Sequence, residues 1–307
     1  VMIGVVTLVF VLFNILPGDP ARMMLGQRAD EKSIETIHQE LGLDKPLHHQ
    51  YCKYIYDLSH FDLRRSYQSG KPVVDILKEA FPNTIYLALL SIAIAFVLGV
   101  TLGSLAAVFK DGWLEKTILV ITSLGMSLPS FFAAILIAWI FAFLLADYTG
   151  LSMFGSLYSV DDFGEGEYLS LKNIILPAIT LGIRPLAVIT ELTKSTMKEV
   201  LAQDYIRTAR AKGLSKFKVI YSHALRNTLN PIVSSISGWF ASLIAGAVFV
   251  EYIFDWKGVG VVIVDSLEKY DFPVLMGALI VICVILIIIN VVTDIIYALL
   301  DPRVRIK

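Results

Sequence analysis

Leu201–Asn230 reads LAQDYIRTARAKGLSKFKVIYSHALRNTLN, the long basic interruption in a chain otherwise made of apolar runs. From Lys194 to Arg226 there are eight Lys or Arg against two acidic residues, Glu199 and Asp204. Uncharged stretches long enough to cross a bilayer lie on both sides, and a basic connection between spans belongs on the cytoplasmic face. The stretch is also patterned. Tyr205, Ala209 and Lys212 recur three or four residues apart, the spacing of one helical face. Gly213 breaks that run, and Ser215 is placed to cap a second helix through Val219, Ile220 and His223. Helix, glycine turn and helix predict a compact knob below the membrane, a docking surface for a cytoplasmic partner. The plainer reading is a charged loop held inside by its lysines and arginines, and pattern alone leaves both open.

Composition points to the membrane independently. Of 307 residues, 56% are hydrophobic and 17% charged, where a soluble domain carries about 25% charged residues. The net charge of -1 says nothing about a nucleic-acid partner, and there is no long basic tail or basic helix that would favour one. Cys52 lies in a polar segment and Cys283 in an apolar run, so a disulfide between them is not expected, and two cysteines make no zinc site.

Outward from the knob, the apolar runs predict spans. Val1–Leu16 is an apolar run without a basic lead, read as the remainder of a first span, and Pro17-Gly18-Asp19-Pro20 stops it. The polar segment that follows holds nine basic and ten acidic residues between Gly18 and Asn83, so its charge gives no orientation. Its periodicity predicts small helices packed on the membrane part. Asp30 caps one with Ile34, Ile37 and Leu41 on a face and Gly42 at its end. Tyr51, Tyr54, Ile55 and Leu58 form a second face, and Val73, Val74, Ile76 and Leu77 a third.

No charge falls between Glu79 and Lys110, the second span, where Gly99, Gly103 and Ser104 offer a smooth face for another helix; glycine is also simply common in membrane helices. The third span lies between Lys116 and Asp147, and Pro129 predicts a kink or restart near Ser130. The loop Asp147–Ser170 carries Asp147, Asp161, Asp162, Glu165 and Glu167 and no Lys or Arg, as an outer loop should. The fourth span begins near Ile174 and contains Arg184, Pro185 and Glu191. A guanidinium well inside a span is costly and should face protein or a water-filled route. It is either a local structural pair or a snorkelling side chain, or, with Glu191, part of a translocation path. Lys194 and Lys198 are the cations nearest Glu191 in sequence. A fifth span runs from Asn227 to Val250 and a sixth from Phe272 to about Tyr297. Val261–Leu267 reads as a short outer-surface helix, and Arg303, Arg305 and Lys307 belong inside. Six spans place both termini in the cytoplasm. There is no GxxxxGK[ST], HExxH or GxSxG string, so the chain supplies no visible ATP site and no catalytic residues.

The strings DYIRTARAKG at Asp204–Gly213 and HALRN at His223–Asn227 resemble the signature loop of the membrane subunits of ATP-driven importers. The form is that of the oligopeptide and dipeptide permease family. Gly213 takes the place of the motif's invariant glycine. Arg207, Thr208 and Ala209 take the Glu-Ala-Ala places, Leu225 the leucine place and Arg226 the proline place. The resemblance extends along nearly the whole chain, with PGDP at Pro17–Pro20 and LGLDKP at Leu41–Pro46. It departs where Phe61 and Arg64 occupy glycine places around Asp62-Leu63. Lys257 stands for a proline before Gly258-Val259-Gly260, and Glu191 stands where relatives often carry Arg.

The resemblance implies an all-α membrane protein of six transmembrane helices, the type I ABC importer transmembrane domain. One permease domain covers residues 1–307. Residues 17–83 form an extracytoplasmic segment after the first span, and residues 194–230 form a cytoplasmic coupling loop. Asp204, Tyr205, Arg207, Ala209, Arg210, Lys212, Gly213, His223, Arg226 and Asn227 are then the ATPase-coupling residues. The implied partners are a homologous second permease, two ATP-binding subunits that use ATP and Mg, an extracytoplasmic solute-binding protein and the lipid bilayer. This chain would bind no cofactor or metal itself. The implied function is import of di- or oligopeptides across the cytoplasmic membrane; a non-peptide solute such as a nickel complex is also known in the family. On physics alone an ion-coupled secondary transporter is the rival, since it too has broken helices and buried charges.

Overall fold

The computed structural model describes residues 2–15, 21–22, 30–155, 157–160 and 167–300. The Pro17–Pro20 turn, most of the acidic loop and the basic tail lie outside the described residues. The chain forms two compact units, residues 1–83 with 257–288 and residues 84–256 with 289–307.

In the first unit, α1 (Met2–Ile15) is followed by α2 (Glu31–Leu41) and α3 (Leu47–Ser59). Gly42, at φ +70, ends α2 as the sequence predicts. Tyr51, Tyr54 and Leu58 of α3 pack with Val6, Phe10 and Ile280, and the Phe10 and Tyr51 rings meet edge-on at 5.1 Å. Ile55, expected on the same face, is exposed instead. Burial pushes the Tyr54 phenol above its usual range, with the Arg64 guanidinium opposing.

The third predicted face is not a separate helix. Val73 to Leu77 form the first turns of α4 (Val73–Val108), which continues through Pro82 for 36 residues. The turn with two missing glycines keeps a left-handed backbone at both places, Phe61 at φ 60 and Arg64 at φ 64. The Asp62 carboxylate accepts from the Arg64 backbone N–H at 2.8 Å, and Arg64 reaches Asp57 at 3.0 Å. These bonds hold a conformation that side chains otherwise avoid. Buried Asp271 accepts from the Ser66 hydroxyl and, at 3.0 Å, from the Tyr67 N–H, fastening this turn beside the start of the last helix.

In the second unit, α5 (Trp113–Ser127) and α6 (Ser130–Ile137, continuing as a π-helical turn Ala138–Leu144) are bent by 112° at the break. Pro129 sits at that break, as its fixed φ and missing N–H require. The short α7 (Ala146–Thr149) follows. The loop after α7 holds a small ribbon in a chain expected to be all helix: β1 (Tyr158–Val160) pairs antiparallel with β2 (Glu167–Leu169). Then come α8 (Ile175–Leu201), α9 (Asp204–Ala211), α10 (Lys216–Lys218, continuing as a π-helical turn Val219–Leu225), α11 (Arg226–Gly246) and α12 (Val248–Phe254). The chain then returns to the first unit with α13 (Val259–Glu268), the predicted short helix, and with α14 (Phe272–Leu300) as far as residue 288.

The Gly99 and Gly103 face is a packing contact. A Cβ on Gly99 would lie 2.8 Å from Ile189 Cγ2, and one on Gly103 2.5 Å from the Thr190 carbonyl oxygen. Gly182 of α8 returns the contact, its Cβ position being 2.9 Å from the Ser91 carbonyl oxygen. In a bilayer such association rests on close van der Waals packing rather than on exclusion of water. Among the described residues, three helices are long and apolar enough to cross a membrane, α4, α8 and α14, or four if the bent α5–α6 pair is one span. Six are not reached on that measure among the described residues.

Candidate functional site

The knob forms as its local signals predict. Gly213 lies at φ +79 with open space around its Cβ position. Its N–H donates to the Arg210 carbonyl at 2.9 Å, and the Leu214 N–H donates to the Ala209 carbonyl at 3.4 Å. That pair of bonds is a Schellman end, which needs a left-handed residue after the helix. Ser215 then caps α10, its hydroxyl accepting from the Lys218 N–H.

The knob's inner side is welded to the helices above it. Ile206 and Ala209 pack with Ala107, Met197, Val219 and Ala224. This corrects one expectation. Ala209 is 6% exposed and packs into the chain's own core. Tyr205, 43% exposed, and Lys212, beyond the helix end, therefore do not share a face with it. The apolar pair at i and i+3, Ile206 and Ala209, chose the buried side of a helix only two turns long.

The outer side carries Asp204, Tyr205, Arg207 and Lys212, with Arg226 and Asn227 exposed at the start of α11, while exposed Arg210 stands toward the ends of α4 and α8. Asn227 Nδ2 donates to the Tyr205 hydroxyl at 2.8 Å, joining the two halves of the knob. His223 is half-buried, and its backbone carbonyl accepts from Asn227 at 3.4 Å. Arg207 pairs with Asp204 at 3.3 Å, both highly exposed, an arrangement worth less than about 1 kcal/mol.

Above the knob, Lys194 and Lys198 both reach Glu115 Oε1 at 2.8 Å, and the Asp111 N–H donates to the other carboxylate oxygen. Glu115 is buried at the start of α5, and this three-charge cluster ties α5 to α8. The sequence placed the two lysines near Glu191, but among the described residues Glu191 has no ion pair. The signal for Glu115 was present: two lysines one turn apart, interleaved with buried Thr193 and Met197, need a carboxylate from another element.

Arg184 also has no ion pair among the described residues. It lines a cavity of about 80 Å³ with Gly125, Ser130, Thr180, Trp239 and Ser242. The broken end of α5 and the start of α6 form one wall. An unpaired guanidinium beside hydroxyls at a helix break offers donors to an anionic or carbonyl-bearing solute.

Residues 99–306 match the family described as binding-protein-dependent transport system inner membrane component, and residues 1–88 match its N-terminal counterpart. The chain is 35% identical to a probable D,D-dipeptide transport system permease protein of Escherichia coli K12, over 99% of this chain and 94% of that one. It is 39% identical to a putative peptide transport system permease protein of Brucella abortus, over 99% and 95%. A glutathione transport system permease protein of Escherichia coli O6:H1 is 37% identical over 98% and 93%. Among solved structures, a chain of the inward-facing MetNI methionine ABC transporter superposes with TM-score 0.58. The identity is 16%, and the match covers 74% of this chain and 97% of that one.

Proposed function

Because the chain belongs to the inner-membrane components of binding-protein-dependent transport systems, in the oligopeptide and dipeptide permease branch, we propose that it is the membrane subunit of an ATP-driven importer of short peptides. It is a multi-pass inner-membrane protein with the type I ABC importer fold. The observation that carries the coupling role is the knob. Its inner side is fixed to the ends of α4 and α8, while its outer side presents an aromatic residue and several charges. Such an element passes a displacement of a docked partner to the spans as a rigid body.

In this reading α1 and α11 complete six spans, both termini and the knob face the cytoplasm, and residues 17–83 lie outside. A homologous permease pairs with this chain, two ATPase subunits using ATP and Mg dock on the knob, and a solute-binding protein delivers peptide from outside. Arg184 and Glu191 line the path. Relatives named for a D,D-dipeptide and for glutathione support a short-peptide cargo.

The test is uptake of labelled di- and tripeptides into vesicles holding the assembled importer. Uptake should need the binding protein outside and ATP on the knob's side, and should survive an ionophore. Uptake that ignores ATP and collapses with the ionophore would indicate a secondary transporter. ATP-driven uptake of a metal complex with no peptide uptake would leave the coupling reading intact and overturn the cargo.

A further inference from the structure

Between the end of α4, the end of α8 and the knob lies a cleft of about 470 Å³. Its walls are Val108, Leu201, Val219 and Ile220, and two cations stand at it, Arg210 from α9 and Lys216 from α10. Neither cation has an ion pair among the described residues. The size falls within the range of about 300–1,000 Å³ typical of ligand sites.

The depth of the cleft follows from charge. Residues 80–109 are uncharged and Lys110 is the first charge beyond Glu79. Such a run, at about 1.5 Å per residue, crosses the hydrocarbon core of about 30 Å and ends in the headgroup region. Phe109, 52% exposed, and Trp113, 77% exposed, stand beside that end, where aromatic residues collect at membrane interfaces.

We propose that this cleft holds the headgroup of an anionic phospholipid from the leaflet on the knob's side. The phosphate would lie between Arg210 and Lys216, and the first acyl carbons would cover Val108 and Ile220. Charge complementarity favours this occupant. Two unpaired cations suit a lipid of net negative charge over a zwitterionic one, and cationic pockets at helix ends on the headgroup level are established anionic-lipid sites in general. An acidic segment of a partner protein would satisfy the cations but lay backbone polar groups against the aliphatic wall. The proposal needs only the bilayer placement of α4, not any particular cargo.

The test uses the assembled importer in nanodiscs of phosphatidylcholine with or without phosphatidylglycerol, with retained lipid read by native mass spectrometry. Wild type should retain phosphatidylglycerol selectively. Arg210→Gln with Lys216→Gln should lower that retention by at least about tenfold, since each cation near an anionic headgroup contributes a factor of about five. The single exposed change Lys216→Glu should do the same without disturbing the fold. Arg207→Gln, a cation outside the cleft, should leave retention at the wild-type level. A photo-crosslinker at Ile220 should capture lipid. Equal phosphatidylglycerol retention in wild type and Lys216→Glu overturns the proposal. So does capture of an ATPase subunit in place of lipid at Ile220, or displacement of the phosphatidylglycerol by inorganic phosphate alone.

Discussion

Asn227 donates its side-chain amide to the Tyr205 hydroxyl at 2.8 Å, so the first residue pair of the knob's two halves is closed by a single exposed hydrogen bond. Tyr205 therefore has two separable parts, a hydroxyl that steadies the knob and a ring left open to a partner. Tyr205→Phe removes only the bond, worth about 0.5–1.5 kcal/mol, and Asn227→Ala should match it in thermal midpoint. Tyr205→Ala removes the ring as well. We expect the ATPase to co-purify normally with the first two and weakly with the third, with solute-stimulated hydrolysis falling alongside. Equal ATPase recovery with all three would deny the ring a docking role.

At Gly213 the constraint is conformational. Its Cβ position meets nothing within 4 Å, yet φ is +79. Substitutions should therefore rank by tolerance of the left-handed region, with Asn mild, Ala costing about 1–2 kcal/mol and Val more. Transport should follow that order while basal hydrolysis by the isolated ATPase subunits is unchanged. Ranking by side-chain volume instead, with Asn as harmful as Val, would point to a neighbour pressing on this site in the assembly.

Glu115 faces two ammonium groups at 2.8 Å from a buried position. Removing the shared partner of a buried cluster leaves its charges uncompensated, and that is more harmful than removing one of two like charges. Glu115→Gln should lower the amount of folded chain extracted from the membrane, and Lys194→Met should lower it less. Combining Glu115→Gln with Lys194→Met and Lys198→Met should recover part of the loss. Size-exclusion profiles after graded heating read the order directly. A milder effect for Glu115→Gln than for Lys194→Met would show that the cluster is not held by the carboxylate.

What was legible in the sequence was local. Gly213, Ser215 and Pro129 act on their own backbone within four residues, and each end or break fell where it was expected. The bend of 112° after Ser127 was not legible, because Pro129 dictates a break but the neighbours choose its angle. Lys198 and Glu115 are 83 residues apart, and their pairing depends on how α5 meets α8. Ala209 was misplaced for a related reason. A helix of eight residues has too few apolar positions for periodicity to choose between the Tyr205 and Ile206 sides, and the core beneath it decided. The ribbon at Tyr158–Val160 and Glu167–Leu169 is three residues per strand, too short for alternation to register.

Phe61 occupies a glycine place at φ 60 and is 88% exposed. Its side chain packs on little, so Phe61→Gly removes left-handed strain of about 1–2 kcal/mol against a backbone entropy penalty of about 0.5–1 kcal/mol. The net expectation is a thermal midpoint that rises slightly or holds. Phe61→Val should lower it. Arg64→Gly differs, because it also breaks the pair with Asp57 at 3.0 Å, and it should not stabilise. A fall in midpoint with Phe61→Gly would mean that the ring is covered in the assembled importer.

Arg184 gives the sharpest separation of structure from transport. It has no ion pair among the described residues, and it stands in the cavity beside Ser130, Thr180 and Ser242. A guanidinium held in a membrane helix without a counter-ion is costly unless water or a solute reaches it. Arg184→Leu should thus leave assembly intact, or raise its yield, while transport per assembled complex falls by about tenfold, the factor equivalent to roughly 1.4 kcal/mol. Arg184→Lys keeps the charge but loses the planar fork, and should keep an intermediate rate. The two readouts, complex recovered on purification and peptide uptake per complex, are measured on the same preparation. Loss of assembled complex with unchanged uptake per complex would make Arg184 a structural residue and remove it from the path. Normal values for both would remove it from either role.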